Sequence, residues 1–412
     1  MGKPDRTYNC GLHSPTIHLL LYGFLLVFTP LLLLQNYLQQ AIGSLSEFHF
    51  RILSIELPLI LVLALICLVL AVFILRKRIT FRRSLAFLAI VLMLGISQRI
   101  SDFYLGKPFY DLQNNWHYIA YAIYAFFAVR FVKSRGKTGD YLVRFTYFSA
   151  LALSAFDEGF QYFISSRVFD IGDIAKDGWG ALIGLVALFF IFNANGIAID
   201  RFSVRKKECR NYWTSGSSML FLSILFNLQF LFFSSTMTDI KYLPLVVIFT
   251  VLSFVVLFIM IHFTIKKPFR IAMIILLVLL VSGLSISHVR HRKGNIVYHS
   301  SGLTVYRGIP IPFFDFIVSS NGFFRFVDRK EYFTPGDIDT ILKQKTNIAI
   351  VGSGADGAGG KGFNGQLSQL VYNRYTGRCT QITVLPTSEA CEYFNGLKKV
   401  GKDVLLVVHN KY

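Results

Sequence analysis

Long apolar runs alternate with short polar loops over roughly the first 290 residues of the chain. Nine of these runs have about 16 to 22 residues, close to the ~20 with which an α-helix crosses a hydrocarbon core of ~30 Å. The pattern predicts a polytopic α-helical membrane bundle of about nine transmembrane helices, the last three of them uniformly apolar. The runs cover residues 17–38, 57–75, 84–99, 116–132, 142–163, 174–194, 216–234, 243–263 and 270–287.

Beyond residue 290 the composition is mixed, and strand patterns alternate with helix patterns. Strands are predicted within 294–307, 323–327, 347–351, 381–385 and 403–408, and helices at 335–343, 366–375 and 388–399. This alternation predicts a small α/β domain after the bundle. We therefore expect four parts: transmembrane helices one to three in 1–98, a central trio in 99–194, helices seven to nine in 195–290, and the α/β domain in 291–412.

The basic residues show which way the bundle is oriented. The formal net charge is +19, and 54% of the residues are hydrophobic. Every second inter-helix loop is rich in Lys and Arg, which is the positive-inside pattern. It predicts an N-terminus inside the cell, an α/β domain outside, and no nucleic-acid partner. The basic run 288–293 after the last apolar segment disagrees with that orientation.

The five cysteines, Cys10, Cys67, Cys209, Cys379 and Cys391, have no CxxC or metal-ligand spacing. If the α/β domain lies outside the cell, Cys379 and Cys391 could pair, but their spacing does not decide this.

Polar and ionisable residues gather at the expected outer ends of the fourth, fifth and sixth apolar segments. Such residues are costly in a membrane and usually line a bundle interior or a water-filled cavity. We predict that they converge on one shallow outer pocket, near Arg99 and Asp102 of the third segment, and that Gly180 and Gly184 let a neighbouring helix approach closely. The candidate binding residues are His117, Tyr121, Glu158, Gln161, Arg167, Asp170, Asp173 and Asp177.

Three interpretations of these residues stay open. In the first they form a structural network, with Arg167 pairing with Asp170 or Asp173 and His117 bonded to Glu158. In the second they bind an anionic headgroup at Arg167, with a divalent cation such as Mg²⁺ held by Glu158, Gln161 and Asp173 as the only cofactor considered. In the third, Glu158 or His117 acts as an acid or base.

The segment from Glu158 to Gly184 resembles the signature of the VanZ-like family: a Glu-x-x-Gln helix end, an Arg and an Asp in the loop, and a following helix with a G-x-x-x-G spacing. His117 and Tyr121 match the His and Tyr of that family, whereas Asp177 stands where it usually has Asn. The resemblance covers about residues 99–194. It implies a cell-envelope role in the bacterial cytoplasmic membrane, with glycopeptide antibiotic tolerance as one form of it.

We therefore expect a protein that binds membrane lipids and an anionic or lipid-linked envelope component. No catalytic motif is established; the alternative is an intramembrane enzyme acting on a lipid phosphate.

The glycine-rich loop that begins at Gly352 matches GxGxxG but lacks the helix and acid of a dinucleotide site, so we interpret it as a turn. The stretch from Thr387 to His409, together with Ile348–Gly354, resembles the small α/β domain of adipogenesis-associated proteins and a mitochondrial complex I assembly factor, over about 294–412. That resemblance implies a module that recruits a protein partner. Thr387 is expected to be a helix N-cap, and Asn395 and His409 to be packing or turn residues rather than a catalytic pair.

Overall fold

The chain forms two compact units in a computed structural model. It describes residues 14–28, 44, 48–52, 55–75, 79–101, 112–137, 139–163, 169–192, 208–264, 266–291, 295–329, 335–354 and 368–410. The first unit is Met1–Ser101, Lys107–Phe232 and Leu243–Phe258. The second is Asp102–Gly106, Phe233–Tyr242 and Ile259–Tyr412.

Helices dominate the chain up to residue 291. They are α1 (Pro15–Phe28), α2 (Leu59–Leu75), α3 (Phe81–Ser101), α4 (Leu112–Ser134), α5 (Asp140–Gln161), α6 (Ile171–Val186, continued by the π-helical turn Ala187–Ile191), α7 (Arg210–Thr214), α8 (Gly216–Thr236), the 3₁₀ turn Ile240–Tyr242, α9 (Leu243–Phe263) and α10 (Lys267–His291). A short hairpin of β1 (His49–Ile52) and β2 (Ile55–Pro58) precedes α2.

Five helical segments of the described chain are long and apolar enough to cross a membrane, so the expectation of nine transmembrane helices is not supported. Helix α1 has 14 residues and α2 has 17, which at about 1.5 Å per residue is short of a ~30 Å core. Helices α4 and α5 are long enough, but they carry several ionisable side chains. The five segments are Phe81–Ile100, Ile171–Ile191, Gly216–Thr236, Ile240–Phe263 and Lys267–His291.

Helix α6 forms the centre of the first unit. Of its apolar span, 78% is buried, whereas none of the apolar span of α10 is buried against the rest of the protein. Trp179 and Leu182 of α6 pack in a core with Tyr118 of α4 and Tyr147 of α5. An apolar helix with no protein covering it is typical of a surface in contact with lipid. Helices α4, α5 and α6 are the ones that bring the candidate site residues together.

The second unit contains the predicted α/β domain. Its helices are α11 (Pro335–Lys343) and α12 (Thr387–Lys399). Its strands are β3 (Ile296–Ser300), β4 (Leu303–Tyr306), β5 (Ile309–Pro312), β6 (Phe316–Val318), β7 (Phe324–Phe326), β8 (Ile348–Gly352), β9 (Ser368–Asn373), β10 (Arg378–Leu385) and β11 (Val404–Val408). Strands β3, β4 and β5 form one antiparallel sheet, and the other six form a mixed sheet in the order β7-β6-β11-β8-β10-β9.

The central strands of the mixed sheet are buried on both faces. Along β11, Leu406 packs in the core that α12 covers with Phe394, while Leu405 and Val407 pack in the core on the other face with Ile341 of α11. A strand buried on both faces is a continuous apolar run, as Val404–Val408 is. That property made the strand visible in the sequence.

One predicted element of this domain is wrong. The stretch 366–375, expected as a helix, contains strand β9, which pairs antiparallel with β10 from Ser368 to Asn373. Leu370 and Tyr372 point to solvent, and Val371 between them packs in a core. This two-residue alternation belongs to an edge strand, and β9 ends the sheet. The glycine-rich stretch beyond Gly354 lies outside the described residues, and the next described element after it is a strand.

The second unit also contains the ends of α8 and α9 and all of α10. The Thr238 backbone N–H and hydroxyl donate to the two carboxylate oxygens of Asp328 at 3.1 and 2.8 Å. The Arg329 N–H donates to the Thr236 carbonyl at 3.0 Å. At the end of α10, the Ser287 hydroxyl donates to the Gly308 carbonyl at 2.8 Å. The connection from α8 to α9 and the end of α10 therefore both contact the α/β domain.

Candidate functional site

A carboxylate on α6 joins three helices. Asp177 is 2% exposed, and one of its oxygens lies 2.9 Å from Nδ1 of His117 on α4. The hydroxyl of Ser154, on α5, donates to the other oxygen at 2.6 Å. A buried carboxylate needs such donors, and its contact with Nδ1 assigns the imidazole proton to that nitrogen. His117 is thus held in one orientation with Nε2 directed away from Asp177.

The partly exposed side of this cluster carries one more acid and one more base. Nε2 of His117 lies 3.6 Å from a carboxylate oxygen of Asp173, which is longer than a hydrogen bond. The other oxygen of Asp173 lies 2.7 Å from Nζ of Lys176. The side chains of His117 and Asp173 are 26% and 24% exposed, whereas that of Lys176 is 10% exposed. A ligand would therefore meet His117 and Asp173 first.

The start of α6 is fixed by a second set of acids. Asp170 caps the helix, accepting a hydrogen bond from the Gly172 N–H at 2.6 Å. The Asp170 N–H donates in turn to Glu158 of α5 at 3.0 Å. Gln161 donates to Asp157 at 3.2 Å and to Glu158 at 3.3 Å. Glu158 therefore positions the loop before α6, while its carboxylate is almost fully buried.

Tyr121 lies one turn after His117 on α4 and is 4% exposed. Its hydroxyl makes no hydrogen bond of ordinary geometry with the residues that the structure describes. A buried hydroxyl without a partner is costly. The Tyr121 hydroxyl and one oxygen of Asp157, which also has no partner among the described residues, have capacity left for a ligand or a water molecule.

The predicted close approach at the glycines is confirmed. A Cβ placed on Gly180 would lie 2.9 Å from the backbone of His117 and Tyr118, and one on Gly184 would lie 2.7 Å from the carbonyl of Ala122. Neither distance leaves room for a side chain. These two glycines let α4 and α6 pack backbone to backbone, which sets the position of His117 beside Asp177.

The uniformly apolar character expected of the last three long helices does not hold for α8. Asn227 on this helix is fully buried; its amide donates to the Ala175 carbonyl at 2.9 Å, and its oxygen accepts from the Tyr147 hydroxyl at 2.8 Å. Asn227 therefore joins α8 to α5 and α6. A single Asn in an apolar run was the signal that could have revealed it, because an amide is rarely buried without partners.

The expectations about individual pairs are partly wrong. His117 bonds to Asp177 and not to Glu158, because the helix crossing brings the start of α4 to the second turn of α6. Asp173 pairs with Lys176, and Asp170 caps a helix. Arg167 and Asp102 lie outside the described residues, so the expected pairing of Arg167 with Asp170 or Asp173 stays a prediction, and Arg99 is exposed at the end of α3.

Acids outnumber bases in the described cluster. Lys176 and His117 face five carboxyl groups, those of Asp157, Glu158, Asp170, Asp173 and Asp177. No group of three His, Cys, Asp or Glu residues within the described part of the chain could hold a metal ion. The cluster is rich in hydrogen-bond acceptors, which suits a ligand that brings hydroxyl or amine donors.

The candidate residues of the α/β domain have structural roles. The Thr387 hydroxyl donates to the His409 carbonyl at 2.9 Å and accepts from the Gly354 N–H at 2.8 Å, so it joins two loops and does not cap α12. Asn395 makes two bonds to the backbone of Ile296, at 2.9 and 2.8 Å. His409 bonds Asp315 at 2.7 Å. Asn395 and His409 therefore have separate partners and do not form a catalytic pair.

The two cysteines of this domain are free thiols. Cys379 is exposed on β10, and Cys391 is on the buried face of α12. Burial, and then the charge of Glu392, raises the pKa of the Cys391 thiol to about 12. Cys391 is consequently a packing residue of low reactivity.

No family model matches the chain, and no curated protein matches it. A solved structure named MT938 is 22% identical to it, with a TM-score of 0.23, over 29% of this chain and 99% of MT938. A likeness at that TM-score carries no argument about fold or function.

Proposed function

We propose that this protein binds a lipid-linked component of the bacterial cell envelope, with the His117–Asp173 side of the cluster contacting the headgroup. The observation that carries the proposal is the meeting of His117, Ser154 and Asp177 from three helices at one buried carboxylate, with His117 and Asp173 open beside it. The resemblance of residues 99–194 to the VanZ-like family supports an envelope role and a contribution to glycopeptide tolerance.

The excess of carboxylates favours a hydroxyl-rich, lipid-linked headgroup over a bare anion. Sugar hydroxyls donate hydrogen bonds to carboxylates and to an imidazole nitrogen, whereas a phosphate next to Asp173 would be repelled. Lys176 is already paired with Asp173, so an anionic part of the ligand would need another cation, for which we propose Arg167, between α5 and α6 in the sequence. A divalent cation such as Mg²⁺ would be a second way to accommodate an anion, with Asp173 as the carboxylate open to hold it.

The setting we propose is the bacterial cytoplasmic membrane, with the N-terminus inside and the α/β domain outside. Helix α6 is one of the five apolar segments, and α4 and α5 pack along it, so their polar ends reach one membrane interface together. The α/β domain then acts on the outer side as a module that recruits a protein partner.

The test is binding of a polyprenyl-linked saccharide to the purified full-length protein. Asp173→Asn removes a charged acceptor, and we expect about tenfold weaker binding, since a hydrogen bond to a charged group contributes ~1.5 kcal/mol or more. Asp140→Asn is the matched control, because Asp140 is at the other end of α5. Equal affinity of wild type and Asp173→Asn for the saccharide would overturn the assignment of the site.

A second function, an intramembrane enzyme acting on a lipid phosphate, is favoured by one observation. The bond from Asp177 holds His117 with Nε2 toward the open side, which is how a carboxylate positions a general base. The discriminating assay is release of inorganic phosphate from a panel of lipid phosphates. Turnover that His117→Gln abolishes would favour the enzyme; binding without turnover favours the first proposal.

A further inference from the structure

The end of α10 is attached directly to one turn of the α/β domain. The Ser287 hydroxyl bonds the Gly308 carbonyl at 2.8 Å, and Nδ1 of His288 lies 3.2 Å from the Arg307 carbonyl. Both Arg307 and Gly308 have positive φ, 49° and 80°, and a Cβ on Gly308 would lie 2.5 Å from the Ser287 carbonyl. The turn between β4 and β5 thus rests on the last turns of a 25-residue helix that is long and apolar enough to cross a membrane.

Two cations from different elements meet beside this turn. Lys398 of α12 donates to the Ser320 carbonyl at 2.8 Å, and a Cβ on Gly322 would lie 2.6 Å from a terminal nitrogen of Arg307. Both side chains therefore contact the same loop, Ser319–Phe323. Within the described residues, neither forms an ion pair with a carboxylate, and the Arg307 Nε is buried without a hydrogen-bond partner.

The pKa of Lys398 reflects burial and the charges of Asp403 and Arg307. Burial is the largest cause that lowers the pKa of Lys398, and the charge of Arg307 lowers it further. Asp403 acts in the opposite direction without forming an ion pair. An anion between Arg307 and Lys398 would relieve their repulsion.

Exposed apolar side chains belong to the same loop and to the end of α10. Phe323, next to Gly322 in the loop Ser319–Phe323, is 76% exposed. Ile286 and Val289 at the end of α10 are 68% and 63% exposed. Cations interleaved with exposed aromatic and aliphatic side chains at the end of a membrane helix are typical of a membrane–water interface.

We infer that the β4–β5 turn and the loop Ser319–Phe323 form a lipid face, which binds the phosphate of an anionic phospholipid between Arg307 and Lys398 while Phe323 enters the headgroup layer. The occupant follows from continuity with α10, whose end is at this turn, and from charge complementarity. The inference rests on α10 crossing the membrane and is independent of the ligand of the His117 cluster. On this inference, the basic run 288–293 would lie next to anionic lipid headgroups. Its charge would then not require a cytoplasmic location.

The test compares lipid binding of two charge-matched variants of the full-length protein in neutral detergent. Phosphatidylglycerol and phosphatidylcholine are titrated, and bound lipid is counted by native mass spectrometry. Arg307→Gln with Lys398→Gln removes both cations, and each Lys or Arg near an anionic surface contributes about fivefold in affinity. We expect phosphatidylglycerol affinity to fall by about 10- to 30-fold, with phosphatidylcholine unchanged. Lys345→Gln with Arg378→Gln is the control, since both are exposed cations elsewhere in the domain.

Three results would overturn the inference: unchanged phosphatidylglycerol binding in the Arg307/Lys398 variant, an equal loss in the control, or saturation of the wild-type site by inorganic phosphate that displaces the lipid.

A second measurement covers the case in which the double variant does not fold. A nitroxide at Phe323→Cys in liposomes should be accessible to oxygen and protected from a water-soluble relaxant, and a nitroxide at Cys379 should show the reverse. Equal exposure of both labels to water would also contradict the lipid face.

Discussion

At the scale of single residues, the cluster depends on one buried acid. Asp177 is 2% exposed, yet both of its oxygens are satisfied, by His117 and by Ser154. Removing either partner leaves a polar group buried without a hydrogen bond. The free-energy cost of that burial is larger than the net stabilisation that the hydrogen bond provides. His117 and Asp177 should consequently behave as one unit in their effect on stability.

A double-mutant cycle with His117→Ala and Asp177→Ala tests this. We expect a coupling free energy of about 1 to 3 kcal/mol, since residues in one buried network couple strongly. The measurement is reversible unfolding of the purified protein in detergent. The control cycle uses the ion pair between Asp140 and Arg144, in which a guanidinium nitrogen lies 2.5 Å from a carboxylate oxygen. The arginine side chain is 44% exposed, so this pair should couple by only about 0.3 to 0.5 kcal/mol. Similar coupling in the two cycles would contradict a special role for Asp177.

The residues of the cluster could be predicted from the sequence, but their partners could not. An acid or a His inside an apolar run stands out, so His117, Glu158, Asp173 and Asp177 were identifiable. Which atom meets which depends on the rotation of each helix about its axis, and that is set by packing. Gln161, for example, donates to its helical neighbours Asp157 and Glu158, and the sequence did not indicate either bond.

At the scale of elements, the contact between α4 and α6 positions the cluster. It requires Gly180 and Gly184, since a Cβ at either position would overlap the backbone of α4. The glycine spacing was readable in the sequence. The strand at 368–373 was not, because an edge strand buries only one face and its short alternation resembles a helical one.

We expect Gly184→Ala to destabilise the protein by about 1 to 3 kcal/mol, because the new methyl group would force the two helices apart. Gly159→Ala is the matched control: Gly159 is also helical, and nothing lies within 4 Å of its Cβ position. This control should be neutral or slightly stabilising, by up to about 1 kcal/mol, since Ala favours a helix. Thermal unfolding in detergent measures both variants. Equal stability of the two would show that the close approach is unimportant.

At the scale of the whole molecule, the contacts within the second unit help to predict on which side of the membrane the α/β domain lies. The domain contacts Thr236 and Thr238, between α8 and α9, and also the end of α10. If α9 and α10 both cross, these two places lie on the same side, and the basic connection at Lys266, Lys267 and Arg270 lies on the other. An odd number of crossings, five as well as nine, puts the N-terminus and the domain on opposite sides. With the N-terminus inside, as the positive-inside pattern predicts, the proposed location of the domain is outside.

Two exposed thiols can test this orientation. Cys379 is exposed in the α/β domain, and Cys209 is exposed before α7, in the connection expected inside the cell. In single-cysteine variants, we expect a membrane-impermeant maleimide to label Cys379 on intact cells and Cys209 only after the membrane is permeabilised. Cys391 should stay unlabelled near neutral pH in both cases, because burial raises its thiol pKa to about 12 and leaves almost no thiolate to react.

Labelling of the same variants in detergent is the control, since both thiols should then react at similar rates. If Cys209 were labelled on intact cells and Cys379 only after permeabilisation, the domain would be cytoplasmic. The basic run 288–293 would then follow the positive-inside pattern, and the four basic loops that now assign the opposite orientation would need another explanation. In that case the His117 cluster would face the cytoplasm, and an envelope ligand on the outer side would no longer reach it.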